Sequence, residues 1–315
     1  MKVIKLDYPH TYMQNDFPPL SIALGFFDGV HKGHQKVIKT AVQKAKENGW
    51  KSAVMTFYPH PLTVLASKRK VHYITPLQDK IRLIEGLGVD YLFIVNFSEA
   101  FAAQLPQEFV DKYLINLHVK HVTAGFDFSY GRLGKGTMET LPFHARDQFT
   151  QTVISKISEN NEKISSTIIR SFLMNGEVEK FLDLTGRLYE TTGLVIHGEK
   201  RGRKLGFPTA NLKLADEFII PAVGVYAVRV KWNGKVYEGI CNIGYKPTFH
   251  NVAPDKPNVE VHIFDFDHSI YDQQLTVEWH LRLRSEKKFS SLEELIAQIS
   301  QDKLNAIRYF EKITS

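Results

Sequence analysis

Ser21 to His34 reads SIALGFFDGVHKGH, and this stretch decides the fold. Ser21 to Gly25 is short and apolar, the composition of a strand buried in a parallel sheet. Phe27-Asp28-Gly29 then turns the chain. The following QKVIKTAVQKAKEN carries Val37, Ile38, Ala41, Val42 and Ala45 at helical spacing, with Gly49 as its stop. His31 and His34 are three apart, which predicts one shared helical face. Lys32, Lys36 and Lys39 crowd the end where the helix dipole is already positive, and Glu47 sits at the other end. Bare N–H groups, two histidines and nearby lysines at a helix start suit a phosphate. Zinc ligation and simple solvation are the rival readings of the histidine pair. A single cysteine in the chain and no third ligand nearby in sequence weigh against zinc.

The other half of this strand–turn–helix logic comes from the segments around it. Lys51 to Phe57 and Tyr91 to Asn96 read as buried strands, His121 to Ala124 leads into a fourth, and helices are expected within Pro76–Gly88 and over Pro106–Leu117. This βαβ rhythm predicts a parallel sheet with helices on both faces and a site at the carboxyl ends of its strands. Phe27 to His34, Pro59 to Pro61 and Gly125 to Gly131 all fall at those ends. Further on, Ser165, Ser166 and Thr167 precede the apolar Ile168, Ile169, Phe172 and Leu173. A hydroxyl cap explains one of the three, but no capping-box glutamate follows, and Arg170 opposes the dipole. Ser166, Thr167 and Arg170 therefore read as a second anion grip, against the plainer reading of a cap with a solvated arginine.

Near Thr185 the periodicity changes from helical to alternating. Gly224 to Val230 and Lys235 to Cys241 flank Trp232-Asn233-Gly234, and Asn-Gly is the preferred two-residue hairpin turn. Val259 to Phe266 and Leu275 to Leu283 are further strands, and Ser291 to Phe310 is an amphipathic helix. The expectation is two domains, 1–184 and 185–315: a parallel α/β domain, then a small antiparallel β-barrel covered by a terminal helix.

Within the barrel, GEKRGRKLGFPTANL (198–212) holds three glycines and four basic residues, a cationic loop suited to phosphates. Thr209 and Asn211 are two apart, so an extended chain points both the same way. Their hydroxyl and amide oxygens are hard ligands that suit magnesium shared with phosphates. A basic surface loop with an Asx turn is the plainer alternative. Glu260, in NVEVHIFDF, alternates with the inward Val259, Val261 and Ile263 and shares its face with His262. By itself it reads as an exposed strand glutamate, yet a carboxylate is also what takes the proton from an attacking hydroxyl.

The chain has 315 residues, 43% hydrophobic and 23% charged, with a formal charge of +6. These values fit globular domains and anionic substrates. Lys68-Arg69-Lys70 and Lys200 to Lys204 are too short to indicate nucleic acid. Cys241 alone excludes an internal disulfide framework and points to a reducing compartment. The start MKVIKLDYPH lacks the apolar core of a signal sequence, and no apolar run reaches the roughly eighteen residues of a membrane span. A cytoplasmic location is expected, with no membrane partner and no nucleic-acid partner, and with room for a weak homo-oligomer.

The string Gly25-x-Phe27-Asp28-Gly29-x-His31-x-Gly33-His34 resembles the nucleotide-binding signature of the nucleotidylyltransferase superfamily. With TFYPHP (56–61), GFDFSYG (125–131), ISSTIIR (164–170), GRLYETTGLVIHGEKRGRKLGFPTANL (186–212), GVYAV (224–228), NIGYKPTF (242–249) and KFSSLEELIAQISQD (288–302), the chain resembles the bacterial bifunctional riboflavin kinase/FMN adenylyltransferases, or prokaryotic FAD synthetases, nearly end to end. That resemblance implies a Rossmann-like nucleotidylyltransferase domain followed by a riboflavin-kinase-like barrel. The barrel would phosphorylate riboflavin to FMN, and the first domain would adenylylate FMN to FAD with release of pyrophosphate. ATP would be a substrate of both steps and Mg2+ a cofactor. The resemblance implies nucleotide contacts at Gly25, Phe26, Phe27, Asp28, His31, His34, Ser166, Thr167, Arg170, Gly198, Lys204 and Gly206. It implies flavin contacts at Asp127 and Phe128, metal ligands at Thr209 and Asn211, and catalytic roles for His31, His34, Arg170 and Glu260. Tyr130 and Thr185 stand where phenylalanine and leucine are commoner. Two rivals are an adenylyltransferase whose barrel only senses flavin and a flavin-responsive nucleic-acid-binding regulator. Intact Thr209, Asn211 and Glu260 oppose the first, and the absence of any recognisable nucleic-acid motif opposes the second.

Overall fold

The computed structural model describes residues 1–66, 71–159, 162–198, 201–215, 217–245 and 257–314. It divides into two compact units, Met1–Ser166 and Thr167–Ser315. In the first, strands β1 (Lys2–Leu6), β2 (Leu20–Leu24), β3 (Lys51–Tyr58), β4 (Tyr91–Asn96) and β5 (Val119–Gly125), with the edge strand Thr150–Ile154, form one six-stranded sheet. The order is β1-β4-β3-β2-β5-edge, and every neighbouring pair is parallel.

β2 is buried along its whole length because the sheet is covered on both faces. Leu20, Ile22 and Leu24 enter the core shared with Phe109, Val110, Tyr113 and Leu117, whereas Ala23 enters the opposite core. Helix α1 (Lys32–Asn48) covers that second face with Val37, Ile38, Ala41, Val42 and Ala45, the expected stripe. Gly49 ends it in the left-handed conformation, φ 68°, its N–H reaching Ala45 and Lys46 carbonyls. From β2 to β4 the chain steps one way across the sheet, and β5 returns to the other side of β2. The crevice where the order reverses lies outside the carboxyl ends of β2 and β5, where ligands bind in such sheets.

Two differences from the sequence expectation have physical causes. The outer strands β1 and Thr150–Ile154 go beyond the strands expected from sequence. Their polar, half-exposed residues (KVIKL, TQTVI) suit sheet edges and dilute the apolar signal. The expected helix over 106–117 is α-helical at Pro106–Val110 and then widens by one residue per turn over Asp111–Ile115, with the Asn116 N–H on the Asp111 carbonyl.

In the second unit, strands Tyr189–Ile196, Ala210–Leu214, Asn258–Ile263, Lys235–Gly244, Gly224–Trp232 and Gln274–Arg284 close a barrel in that order, all neighbours antiparallel. Asn233 and Gly234 both take positive φ, 48° and 74°, as the hairpin reading requires. The terminal helix Leu292–Thr314 packs Ala306 and Phe310 onto Val225, Ala227, Ile240 and Phe264. Arg284 holds buried Asp302 of that helix through three contacts of 2.8–3.0 Å.

Candidate active sites

The first site begins where β2 ends. A Cβ on Gly25 would lie 2.7 Å from the Phe27 ring, so only glycine lets that ring fold back over the turn. Phe27 is buried at φ 54°, a left-handed value that a bulky residue adopts only when its surroundings enforce it. Buried Asp28 does the enforcing in part. Its carboxylate accepts the main-chain N–H groups of Ile74 (3.2 Å) and Thr75 (3.0 Å), tying the turn to the segment before the helix Leu77–Glu85.

His31 is the N-cap of α1, one residue before the helix, and not a residue on its face as the spacing suggested. Its Nδ1 accepts the His34 N–H at 3.2 Å. The hydrogen of the neutral ring therefore sits on Nε2, which is left as a donor. The two imidazoles stack with centroids 3.5 Å apart and planes 18° apart. Burial lowers the pKa of His31 to about 4, against the opposing pull of its own backbone hydrogen bond and of Asp127. Burial, then His31 and Lys80, hold His34 well below the ordinary imidazole value. The pair is thus neutral at pH 7 and presents hydrogen-bonding groups that a polyphosphate could use. His34 Nδ1 is shut off from solvent with no hydrogen-bond partner among the described residues.

Around this pair, Asp127 is exposed just beyond the end of β5 and Phe128 is partly buried against the core, its ring roughly parallel to that of Tyr130 at 6.3 Å. Ser166 Oγ donates to the Asp28 carbonyl at 2.9 Å, so the first expected hydroxyl of the second grip does meet the signature turn. Thr167 and Arg170 lie in the first turns of the helix Ser166–Asn175 and belong to the other compact unit, Thr167 exposed and Arg170 partly buried.

The low pKa of His31 carries a stability consequence. The unfolded chain binds this proton near pH 6.5 and the folded chain only near pH 4. Stability is therefore complete above about pH 6.5 and is lost as pH falls toward 4, at roughly 1.4 kcal/mol per pH unit. Urea denaturation at pH 7 and pH 5 is expected to show this loss in the first unit, and His31→Gln is expected to flatten the slope.

The second site is a row across three barrel strands. Asn211 stands opposite Glu260, and Glu260 opposite Asn242. Directly paired residues share a face, so the proposed metal ligand and the proposed base are neighbours. Leu212, Val259, Val261 and Cys241 point to the other, buried face. A Cβ on Gly198 would lie 2.1 Å from Asn211 Nδ2, and one on Gly202 would lie 2.4 Å from the Phe207 carbonyl and 3.2 Å from Thr209 Oγ1. These glycines are where the basic loop closes over the Thr209–Asn211 segment, and Gly206 turns it at φ 84°. The side chain of Lys204, the residues Glu199 and Lys200, and Lys246 to Phe249 of the NIGYKPTF stretch lie outside the described residues, as do Ser67 to Lys70. His262 shares the face of Glu260, yet it is buried, because Phe207 packs edge-on to it and its Nδ1 lies 2.8 Å from the Pro208 carbonyl. That carbonyl can only accept, so His262 donates and pins the residue preceding Thr209.

A family model described as FAD synthetase matches residues 13–168, and one described as riboflavin kinase matches residues 185–310. A bifunctional riboflavin kinase/FMN adenylyltransferase of Bacillus subtilis (strain 168) is 50% identical over 314 residues, covering 99% of each chain. The chain belongs to the bifunctional riboflavin kinase/FMN adenylyltransferases. The protein so named in Listeria monocytogenes is 45% identical over the same share, and that of Escherichia coli (strain K12) 35% identical over 92% of each chain. A crystal structure described as a macrolide-efflux protein from Streptococcus pneumoniae superimposes with a TM-score of 0.86 at 32% identity, covering 96% of this chain and 98% of that one. Among the described residues here, no helix is long and apolar enough to cross a membrane. As in the other bifunctional riboflavin kinase/FMN adenylyltransferases, the parallel α/β half is the FAD synthetase domain and the barrel the flavokinase domain.

For this bifunctional kinase/adenylyltransferase, the geometry adds three residues, Lys80, His262 and Asn242, to those the sequence points to. Asn242 lies two strands from Asn211, so only the register brings them together. His262 could have been found from its alternation with Glu260. The glycine contacts also give a direct test. Gly198→Ala is expected to displace the Asn211 amide and lower riboflavin phosphorylation by about tenfold or more, with FAD formation from supplied FMN unchanged. Initial rates of the two reactions on one preparation check it.

Proposed function

We propose that the two reactions are carried by separate residue sets, His31, His34, Ser166, Thr167 and Arg170 for adenylyl transfer and Thr209, Asn211 and Glu260 for riboflavin phosphorylation, with a functional boundary at 184/185. In the kinase step Glu260 takes the proton of the ribityl 5′-hydroxyl. That oxygen bonds to the γ-phosphorus of ATP as the bond to ADP breaks. In the adenylyl step an FMN phosphate oxygen bonds to the α-phosphorus and pyrophosphate leaves. The FMN phosphate is already anionic and needs no strong base, so neutral imidazole donors and a helix start suffice to steady the developing charge.

The observation that carries this reading is the Asn211–Glu260 pairing, which sets a carboxylate beside a hard amide ligand on adjacent strands. Thr209 and Asn211 fit magnesium, since one hydroxyl and one amide oxygen leave positions for phosphate oxygens and water. Bound there, magnesium would neutralise phosphate charge. Asp127 and Phe128 would face the flavin, and Gly25 to Asp28, Gly198, Lys204 and Gly206 would surround nucleotide. The substrates are riboflavin, FMN and ATP, in a cytoplasmic protein without nucleic-acid partner and at most weakly self-associated. The test is chromatography of products from riboflavin, ATP and magnesium, beside a tube starting from FMN. FMN followed by FAD is expected. Product that persists after magnesium is stripped by chelation would remove the metal from the scheme.

A further inference from the structure

Thr56 at the end of β3 and Lys80 in the first turn of the helix Leu77–Glu85 converge on one atom, the carbonyl oxygen of Phe26. Thr56 Oγ1 donates to it at 2.8 Å and Lys80 Nζ at 2.8 Å. The lysine is 1% exposed, and its ammonium also lies 4.3 Å from the centroid of the Phe26 ring. A buried ammonium is costly unless paired, and no carboxylate lies within ion-pair distance of this one among the described residues. Phe26 immediately precedes Phe27, the residue held at positive φ, and leads into Asp28 and the His31 cap. The groups that feel this charge are Asp28, whose carboxylate favours it, and His34, which it keeps from protonating.

We propose that Lys80 is a positioning residue for adenylyl transfer, its ammonium clamping the Phe26 carbonyl so that the turn presents the His31–His34 pair to the polyphosphate of ATP. The inference rests on the reading of that pair as the adenylyl-transfer site. Burial lowers the lysine pKa to about 8, so the ammonium is still the main form at pH 7. A purely structural lysine would, on substitution, lower the unfolding midpoint and leave kcat unchanged. With Lys80 replaced by an apolar residue of similar volume no buried ammonium remains to be paired, and Thr56 still satisfies the Phe26 carbonyl.

Lys80→Met in the full chain is therefore expected to keep its unfolding midpoint. It should keep its riboflavin phosphorylation rate and its KM for FMN, and lose kcat for FAD formation by about tenfold or more, the scale of a small misplacement at a reacting centre. Lys80→Arg is expected to recover part of that kcat. A folded Lys80→Met with wild-type kcat for FAD formation overturns the proposal. Should Lys80→Met fail to fold, Lys80→Gln removes the ammonium while keeping a polar end near the carbonyl. A severalfold fall in the same kcat supports the clamp, and an unchanged kcat overturns it. His31→Ala is assayed alongside. If it too leaves FAD formation intact, the failure belongs to the site reading and not to the clamp.

Discussion

Glu260→Gln is expected to lower riboflavin phosphorylation by about a hundredfold or more and to leave FAD formation from supplied FMN at the wild-type rate. The substitution keeps the shape of the side chain and its place between Asn211 and Asn242, so the barrel register has no reason to change. It removes only the capacity to accept a proton at neutral pH. The attacking group in this step is a neutral alcohol, and without a base it must lose its proton to water while the bond to phosphorus forms. FMN and ADP measured together from riboflavin and ATP give the rate, and the parallel incubation with FMN reports on the other half of the same molecule. Near-normal phosphorylation in the glutamine variant would leave Glu260 as an ordinary half-buried strand residue.

His31→Ala produces the complementary pattern. FAD formation from FMN is expected to fall by about two to three orders of magnitude, the scale seen when one donor to a developing phosphate or oxyanion charge is lost. Riboflavin phosphorylation should persist. Two effects combine in the alanine variant, because His31 also caps α1 through Nδ1, and a lost cap costs about 1 kcal/mol. His31→Asn separates them. Asparagine restores a good cap but lacks the Nε2–H that the imidazole offers on its far side. Equal loss of FAD formation in both variants assigns the effect to the donor. Recovery in the asparagine variant would assign it to the helix start. If either His31→Ala or Glu260→Gln removed both activities from a folded protein, the two-site assignment would be wrong.

The path from sequence to structure was clear where a single strand or helix carries the signal. β2, α1 and Gly49 follow directly from an apolar run, a period near 3.6 and a left-handed stop. The Asn233-Gly234 hairpin follows from turn chemistry, and the parallel and antiparallel halves from the change of period near Thr185. The edge strands were not legible, because a strand with one neighbour can afford the polarity that hides it. Within the sites, residue types were legible but their mutual placement was only partly so. Glu260 and Asn211 are 49 positions apart in the chain, and only barrel closure makes them direct neighbours. The spacing of His31 from His34 predicts a place on the helix, but its ring nitrogen is needed by the helix start, and so it precedes the helix. Lys80 falls in the helix expected within Pro76–Gly88, and nothing in its spacing marks it as buried. Its burial depends on the Phe26 carbonyl and the Thr56 hydroxyl, which arrive from two other segments.

The helix Leu292–Thr314 has a consequence for how the molecule is made. Ala306 and Phe310 complete the apolar cluster over Val225, Ala227, Ile240 and Phe264, and Asp302 fixes Arg284. Each of these closing contacts is synthesised after all six barrel strands. When the ribosome has just passed Arg284, all six barrel strands are translated and the helix that covers them is not. Until that helix emerges, the apolar face stands open to chaperones and to neighbouring nascent chains, and a chain cut before Phe310 would lack part of its cover.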